Sequence, residues 1–141
     1  ERGQVFIQLR DTNHPLIEKL QRHDYESFYN TEIEERQLFF YPPYSRIINV
    51  QSRHNDAIAS KEAMTVFCNF IRQQYPQFVF GPAQPVINKV RNQYIFECML
   101  KFQKNKQIID GIKLAIEGAI IEVLSHTHLK RTIFSVDVDP L

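Results

Sequence analysis

No tryptophan occurs in the 141 residues, and there are only four glycines and two cysteines. Each shortage removes something. The glycines form neither GxGxxG nor GxxxxGK[ST], so a dinucleotide fingerprint and a phosphate-cradling loop are both missing. HExxH and GxSxG are missing too. Cys68 and Cys98 make no CxxC pair, so this chain alone is not expected to build a zinc site. Both fall at apolar-periodic positions and read as buried thiols of a reduced, cytosolic protein. No apolar run approaches the roughly 18 residues that span a bilayer, so no membrane partner is expected. An excess of one charge is lacking as well: 17 Lys and Arg against 16 Asp and Glu leave +1. A global field advertising nucleic acid is therefore absent. Fixed-period repeats and low-complexity tracts do not occur. Glu1-Arg2-Gly3-Gln4 at the start carries neither an initiating Met nor a signal-peptide pattern, which suggests a piece of a longer protein.

What is present is ample apolar matter, including eleven Phe and six Tyr, enough for one domain or one domain plus a fragment of another. The central stretch is Gly81 to Tyr94. Pro82 and Pro85 forbid a helix there, and Gly81 permits a positive φ at the exit from a strand. The stretch reads as a stiff, extended loop carrying Lys89 and Arg91 among Asn88, Asn92 and Gln93. Two cations with amide donors suit a phosphate or carboxylate. A plain bridge between two strands is the competing reading. Charge is uneven along the chain. Acids prevail through Asp24, Glu26, Glu32, Glu34 and Glu35, whereas Lys89, Arg91, Lys101, Lys104 and Lys106 face one acid, Glu97. The latter set makes a basic patch if folding gathers it, and otherwise a solvated face.

In chain order, 5–9 (Val-Phe-Ile-Gln-Leu) reads as a short strand. A turn follows, with Asn13 or Asp11 as cap and Pro15 near the first helical position. Leu16, Ile17 and Leu20 give that helix an apolar side. Tyr25, Phe28, Tyr29, Ile33 and Arg36 mark a second helix. Glu32, Glu34 and Glu35 are then a solvated face in preference to a metal cluster. Tyr41-Pro42-Pro43-Tyr44 ends it and marks a domain boundary, giving 1–40 and 41–141. The proline pair is a rigid lead into a strand or, alternatively, a docking ligand. Beyond it come a strand at 46–51, a turn at His54-Asn55-Asp56 with a good N-cap, and a helix striped by Ala59, Ala63, Val66, Phe67, Phe70 and Ile71. A short strand at 78–80 leads into the proline loop. Tyr94, Phe96, Cys98, Leu100 and Phe102 alternate along a one-sided strand. The long helix from Ile108 to Val123 holds Gly111 and Gly118, each costing about 1 kcal/mol of propensity, which close approach to the sheet would explain. The last strand covers 132–138.

The order from Tyr44 is βαββαβ. It predicts an α+β sandwich: a four-stranded antiparallel sheet with two helices on one face and the other face open. Base stacking on that open face is disfavoured, because Tyr94, Phe96 and Phe102 share the core parity with Cys98 and Leu100. His126 and His128 with Asp137 or Asp139 admit an acid–base or metal cluster, but exposed loop histidines are the simpler reading. Asp137 and Asp139 would repel on one strand face. Structural use, at backbone donors of the proline loop or a helix start, is equally compatible. No catalytic residue and no metal ligand is assigned.

Asn13-His14-Pro15, Asp24-Tyr25-Glu26-Ser27-Phe28, Glu32-Ile33-Glu34-Glu35-Arg36 and Tyr41-Pro42-Pro43-Tyr44 resemble, in order, the end of the primosomal protein N′ family. These are the PriA replication-restart DNA helicases. Gly81-Pro82-Ala83 with its basic loop, and the terminal Asp137-Val138-Asp139-Pro140, match the same family. The resemblance covers nearly the whole chain. It implies that residues up to about 40 are the tail of the second motor lobe. The remainder would be a C-terminal domain similar to a small-subunit ribosomal protein. The family's parent proteins are bacterial, cytoplasmic, nucleoid-associated ATP-dependent 3′-to-5′ helicases with bound zinc and Mg-nucleotide. Their nucleotide and zinc motifs are not in this chain, so the fragment is expected neither to hydrolyse ATP nor to bind zinc. By resemblance its partners are forked or branched DNA, single-stranded DNA-binding protein and other primosome proteins, and it is a monomer. Lys89, Arg91 and Lys101 would meet DNA phosphates. Lys104 or Lys106, at the start of the last long helix, would meet the acidic tail of single-stranded DNA-binding protein. Ile95 stands where the family has arginine. The rival functions are a small acyl-phosphate hydrolase of the same topology, using Arg91 and Asn92, and a docking domain with no ligand of its own.

Overall fold

A computed structural model describes residues 3, 6–11 and 15–140. The chain divides into two compact units, Glu1–Phe39 and Phe40–Leu141. In the first, α1 (Pro15–Gln21) and α2 (Tyr25–Leu38) form a helical hairpin. Asp24 caps α2 by accepting from the Ser27 amide at 3.0 Å. The Lys19 ammonium ties the helices together, donating to Thr31 Oγ1 at 2.8 Å and to the Ser27 carbonyl at 3.2 Å. Neither helix has a buried residue. Their apolar stripes are only partly covered: Leu16, Ile17, Phe28 and Ile33 are half-buried, while Leu20, Tyr25 and Tyr29 stay exposed. The expected strand at 5–9 does not form: residues 6–9 have no regular structure, and Val5 lies outside the described residues. An isolated run of that length has no neighbouring strand to take its backbone donors. The possible cap Asn13 also lies outside the described residues, and Asp11 has no regular structure.

The second unit is the βαββαβ sandwich. Its strands are β1 (Ser45–His54), β2 (Val79–Ala83), the two-residue β3 (Lys89–Val90), β4 (Gln93–Gln103) and β5 (Ile133–Val138). The sheet runs β2-β4-β1-β5 with every pair antiparallel, and β3 pairs with β4. The expectation of four strands therefore gains a fifth, short one. The helices α3 (Ala57–Arg72) and α4 (Lys106–Ser125) cross between strands that are not neighbours, giving two interleaved split βαβ units. Asp56 caps α3 at the Ile58 amide (2.7 Å), and Asn105 caps α4 at the Gln107 amide (2.8 Å).

Alternation decides the two faces. Ile48, Val50, Cys98, Leu100 and Phe102 point at the helices and join Met64, Phe67, Ile71, Ile112, Ala119 and Val123 in one core. Burying a side chain such as Phe67 or Phe102 contributes about 2–3 kcal/mol. Cys68 and Cys98 are free and fully buried within this core, on α3 and β4. A side-chain hydrogen bond to Cys68 and burial together push the Cys98 thiol up. The opposite parity carries Asn49, Gln51 and Glu97; the Glu97 carboxylate accepts from Asn49 at 3.3 Å and Gln51 at 3.4 Å.

Three local readings are corrected. Gly111 faces Tyr75, just past α3, and Gly118 faces Phe70 on α3; neither faces the sheet. A Cβ on Gly111 would collide with the Tyr75 hydroxyl, and one on Gly118 would lie 3.1 Å from the Phe70 ring. Asp139 lies just past β5 at φ 51, so it does not share a strand face with Asp137. Its carboxylate accepts from the Ile47 amide at 3.0 Å and pairs with Arg46, while its own amide donates to the Ile47 carbonyl at 2.7 Å. The end of β5 is thus latched to the start of β1, not to the proline loop or a helix start. Finally, the proline stretch is not extended throughout. Gly81 sits at φ 142 inside β2, beside a register shift against β4. Any Cβ there would stand 2.9 Å from the Glu97 carbonyl oxygen.

Candidate functional site

The end of the proline stretch folds back on itself. Lys89 pairs with Tyr94 and Val90 with Gln93, and Arg91 and Asn92 turn the corner at φ 49 and 63. Two consecutive positive φ values make a tight turn of the type whose twist suits a hairpin, and asparagine tolerates that region well. The Lys89 ammonium lies 4.5 Å from the Tyr94 ring centre and donates to its hydroxyl at 3.2 Å. The root of the hairpin is fixed from below: the buried Ser60 hydroxyl donates to the Tyr94 carbonyl at 2.9 Å. A flexible lysine is thereby held in one place on a pinned scaffold.

The five cations singled out from sequence do not gather. Lys89 and Arg91 lie at the Gln93 end of β4. Lys104 and Lys106 lie beyond Gln103, at the other end of that strand. Eleven residues of strand separate the two groups by about 30 Å. Lys101 is on the open parity of β4 with its ammonium 4.0 Å from the Tyr41 ring centre. Near Lys104 and Lys106 the first amides of α4 are already engaged, because the Asn105 carboxamide accepts from Gln107 and, at 3.4 Å, Ile108.

Strand order brings other cations to the hairpin instead. His54 is opposite Tyr94, and Arg53 is opposite both Ile95 and Ile133. Lys130 and Arg131 lead directly into that end of β5 and are exposed. Lys89, Arg91, Arg53, Lys130 and Arg131 therefore share one end of the sheet, across the four adjacent strands β3-β4-β1-β5, about 15 Å wide. Local acids are occupied elsewhere: Asp56 caps α3, and Glu62 and Glu122 lie 3.0 and 3.8 Å from His128 and His126. Among the described residues no ion pair involves any of those five cations. Arg53 reaches Gln51 at 3.2 Å, yet its Nε is buried without a partner. Arg53, Lys130 and Arg131 escape a reading along the chain, since only the strand order places them beside the hairpin.

At the other end, α4 and the β1–β5 edge enclose an apolar groove of about 480 Å³. Ile109, Ile116, Val136 and Val138 line it together with Lys113, Glu117 and Arg46, the last paired with Asp139. Among the described residues no group of three His, Cys, Asp or Glu is placed to hold a metal ion. His126 and His128 are 6.1 Å apart with their own glutamate neighbours. Nor is any helix, among the described residues, long and apolar enough to cross a membrane. Arg91 and Asn92 are both exposed on a turn, a position that does not exclude water from a reacting phosphate.

The second unit is thus an α+β domain of the double split βαβ kind, with a cationic strip at one end and a groove at the other. The chain belongs to the family of primosomal protein N C-terminal domains, whose profile matches residues 37–141. The replication restart protein PriA of Bacillus subtilis is 25% identical over 140 residues, covering 98% of this chain and 17% of that protein. The Synechocystis protein of the same name is 26% identical over 144 residues, covering 100% and 16%. That of Treponema pallidum is 31% identical over 103 residues, covering 72% and 16%. The chain thus spans about one-sixth of the length of these relatives.

Proposed function

We propose that this chain is the C-terminal region of a replication restart protein and that its second unit binds DNA through the hairpin end of the sheet. The observation that carries this reading is the convergence of Lys89, Arg91, Arg53, Lys130 and Arg131 on one rigid edge without acidic neutralisation. Phosphates neutralised by such side chains release counterions, so affinity should fall steeply with salt. Lys101, drawn over Tyr41, is a lesser contributor. The test is fluorescence anisotropy with forked DNA over a salt series. Lys89→Glu with Arg91→Glu should weaken binding and lower the salt slope by about 2, from the roughly 0.9 that each phosphate contact adds. Unchanged binding in that variant would refute the assignment.

A second contact has its own observation. The groove beside α4 joins apolar walls to Lys113, a cation that suits an acidic peptide such as the tail of single-stranded DNA-binding protein, with Glu117 as the one acid in the lining. Lys104 and Lys106 lie at the approach to the first turn of the same helix. Labelled tail peptide should bind the chain, and Lys113→Glu should abolish binding without altering DNA affinity. Peptide binding unaffected by Lys113→Glu would move this contact elsewhere.

A further inference from the structure

The cations of the hairpin have apolar neighbours that the DNA reading above leaves unused. Val86 is fully exposed at 102%, Ile87 at 69% and Val90 at 41%. Single exposed aliphatics are ordinary, and Ile58, Leu114 and Ile121 are as bare; these three differ in lying close together along one short stretch beside Lys89 and Arg91. Val86 and Ile87 sit between Pro85 and the pinned pair Lys89–Tyr94, on a segment stiffened at both ends, and Val90 follows Lys89 in β3. The Asn88 carbonyl, next to Ile87, accepts from the Ile95 amide at 2.9 Å, so the tip is tied to β4 just below. No acid occurs from Gly81 to Phe96. An apolar tip flanked by cations and free of acids matches the chemistry of residues that enter a base step while basic neighbours hold the phosphates.

We propose that Val86 and Ile87 form a wedge that packs against bases at a duplex junction and unstacks the terminal pair, with Lys89 and Arg91 gripping the adjacent backbone. This rests on the DNA-binding reading and adds a task to it: the loop just before the hairpin opens the junction that the hairpin holds. A junction is the favoured target because its last pair is the cheapest to unstack, having a neighbour on one side only.

The test uses the 141-residue chain and forked DNA carrying 2-aminopurine either at the junction pair or in the middle of the duplex arm. The wild-type chain should raise the junction fluorescence about two-fold or more, as an unstacked base requires, and leave the internal probe unchanged. Val86→Ser with Ile87→Ser, both at exposed positions, should abolish that rise while changing the dissociation constant by less than about three-fold, since the phosphate contacts remain. Circular dichroism of the variant checks that it is folded. Tight binding without a junction signal, or an equal signal from the double variant, would overturn the wedge and leave DNA binding standing. Absence of DNA binding at low salt would overturn both. Loss of the signal together with a large loss of affinity would assign the apolar tip to general adhesion, also against the wedge.

Discussion

A glycine in the middle of α4 lets one steric contact be isolated. Gly111→Ala should gain about 1 kcal/mol of helix propensity. The added methyl would collide with the Tyr75 hydroxyl, however, while the ring carbon bearing that hydroxyl is 3.4 Å away, an ordinary contact. Tyr75 cannot swing aside freely, because its ring is stacked on Phe78 at 6.0 Å and half-buried against the core. Displacing a packed ring costs roughly 1–3 kcal/mol. The single substitution should therefore be neutral or destabilising by up to about 2 kcal/mol. In a Tyr75→Phe background the obstructing oxygen is gone, and the same Gly111→Ala change should stabilise by about 0.5–1 kcal/mol. The sign reversal is the prediction, with a coupling of about 1–3 kcal/mol from a double-mutant cycle. Urea titrations of the four proteins, followed by circular dichroism, measure it. Thermal midpoints give a check at roughly 4–8 °C per kcal/mol for a unit of this size. Equal effects of Gly111→Ala in both backgrounds would refute the contact.

Asp139→Ala should cost about 2–3 kcal/mol, by stranding the Ile47 amide, unpairing Arg46 and placing alanine in the left-handed region. Asp139→Asn, which keeps the acceptor and tolerates that backbone, should cost about 1 kcal/mol or less; equal melting points for the two would show that the charge matters and the latch does not. Gly81→Ala should lower the midpoint more than Gly118→Ala, since φ 142 strains any side chain and the obstacle is a carbonyl oxygen at 2.9 Å instead of a ring edge at 3.1 Å. Asn105→Ala should cost about 1 kcal/mol by freeing two amides of α4, and an unchanged urea midpoint would contradict that cap.

The sheet and the two covering helices were legible because each strand alternates and each helix carries one apolar stripe, as at Phe96–Phe102 and Ala59–Ile71. Asp56 was legible as a cap by its position before a periodic run. The hairpin was not, since two prolines suggested extension throughout, and Arg91-Asn92 lacks the glycine that usually announces such a turn. The reason for Gly111 and Gly118 lay in Tyr75 and Phe70, residues far off in sequence that no periodicity connects to them. Among the candidate site residues, Lys89 and Arg91 were found on the strength of their loop. Arg53, Lys130 and Arg131 joined them only once β1 and β5 were set side by side.

The separation of charge along β4 has a kinetic meaning. A net charge of +1 gives almost no pull at long range. Yet one end of the sheet gathers unneutralised cations while the other mixes Lys104 and Lys106 with Asp110, Asp137 and the paired Asp139. Within the second unit this arrangement gives a moment directed along the sheet. In the field of a polyanion it experiences a torque before it touches anything, within about 10 Å at ordinary ionic strength. For that unit by itself the torque turns the hairpin foremost before docking begins.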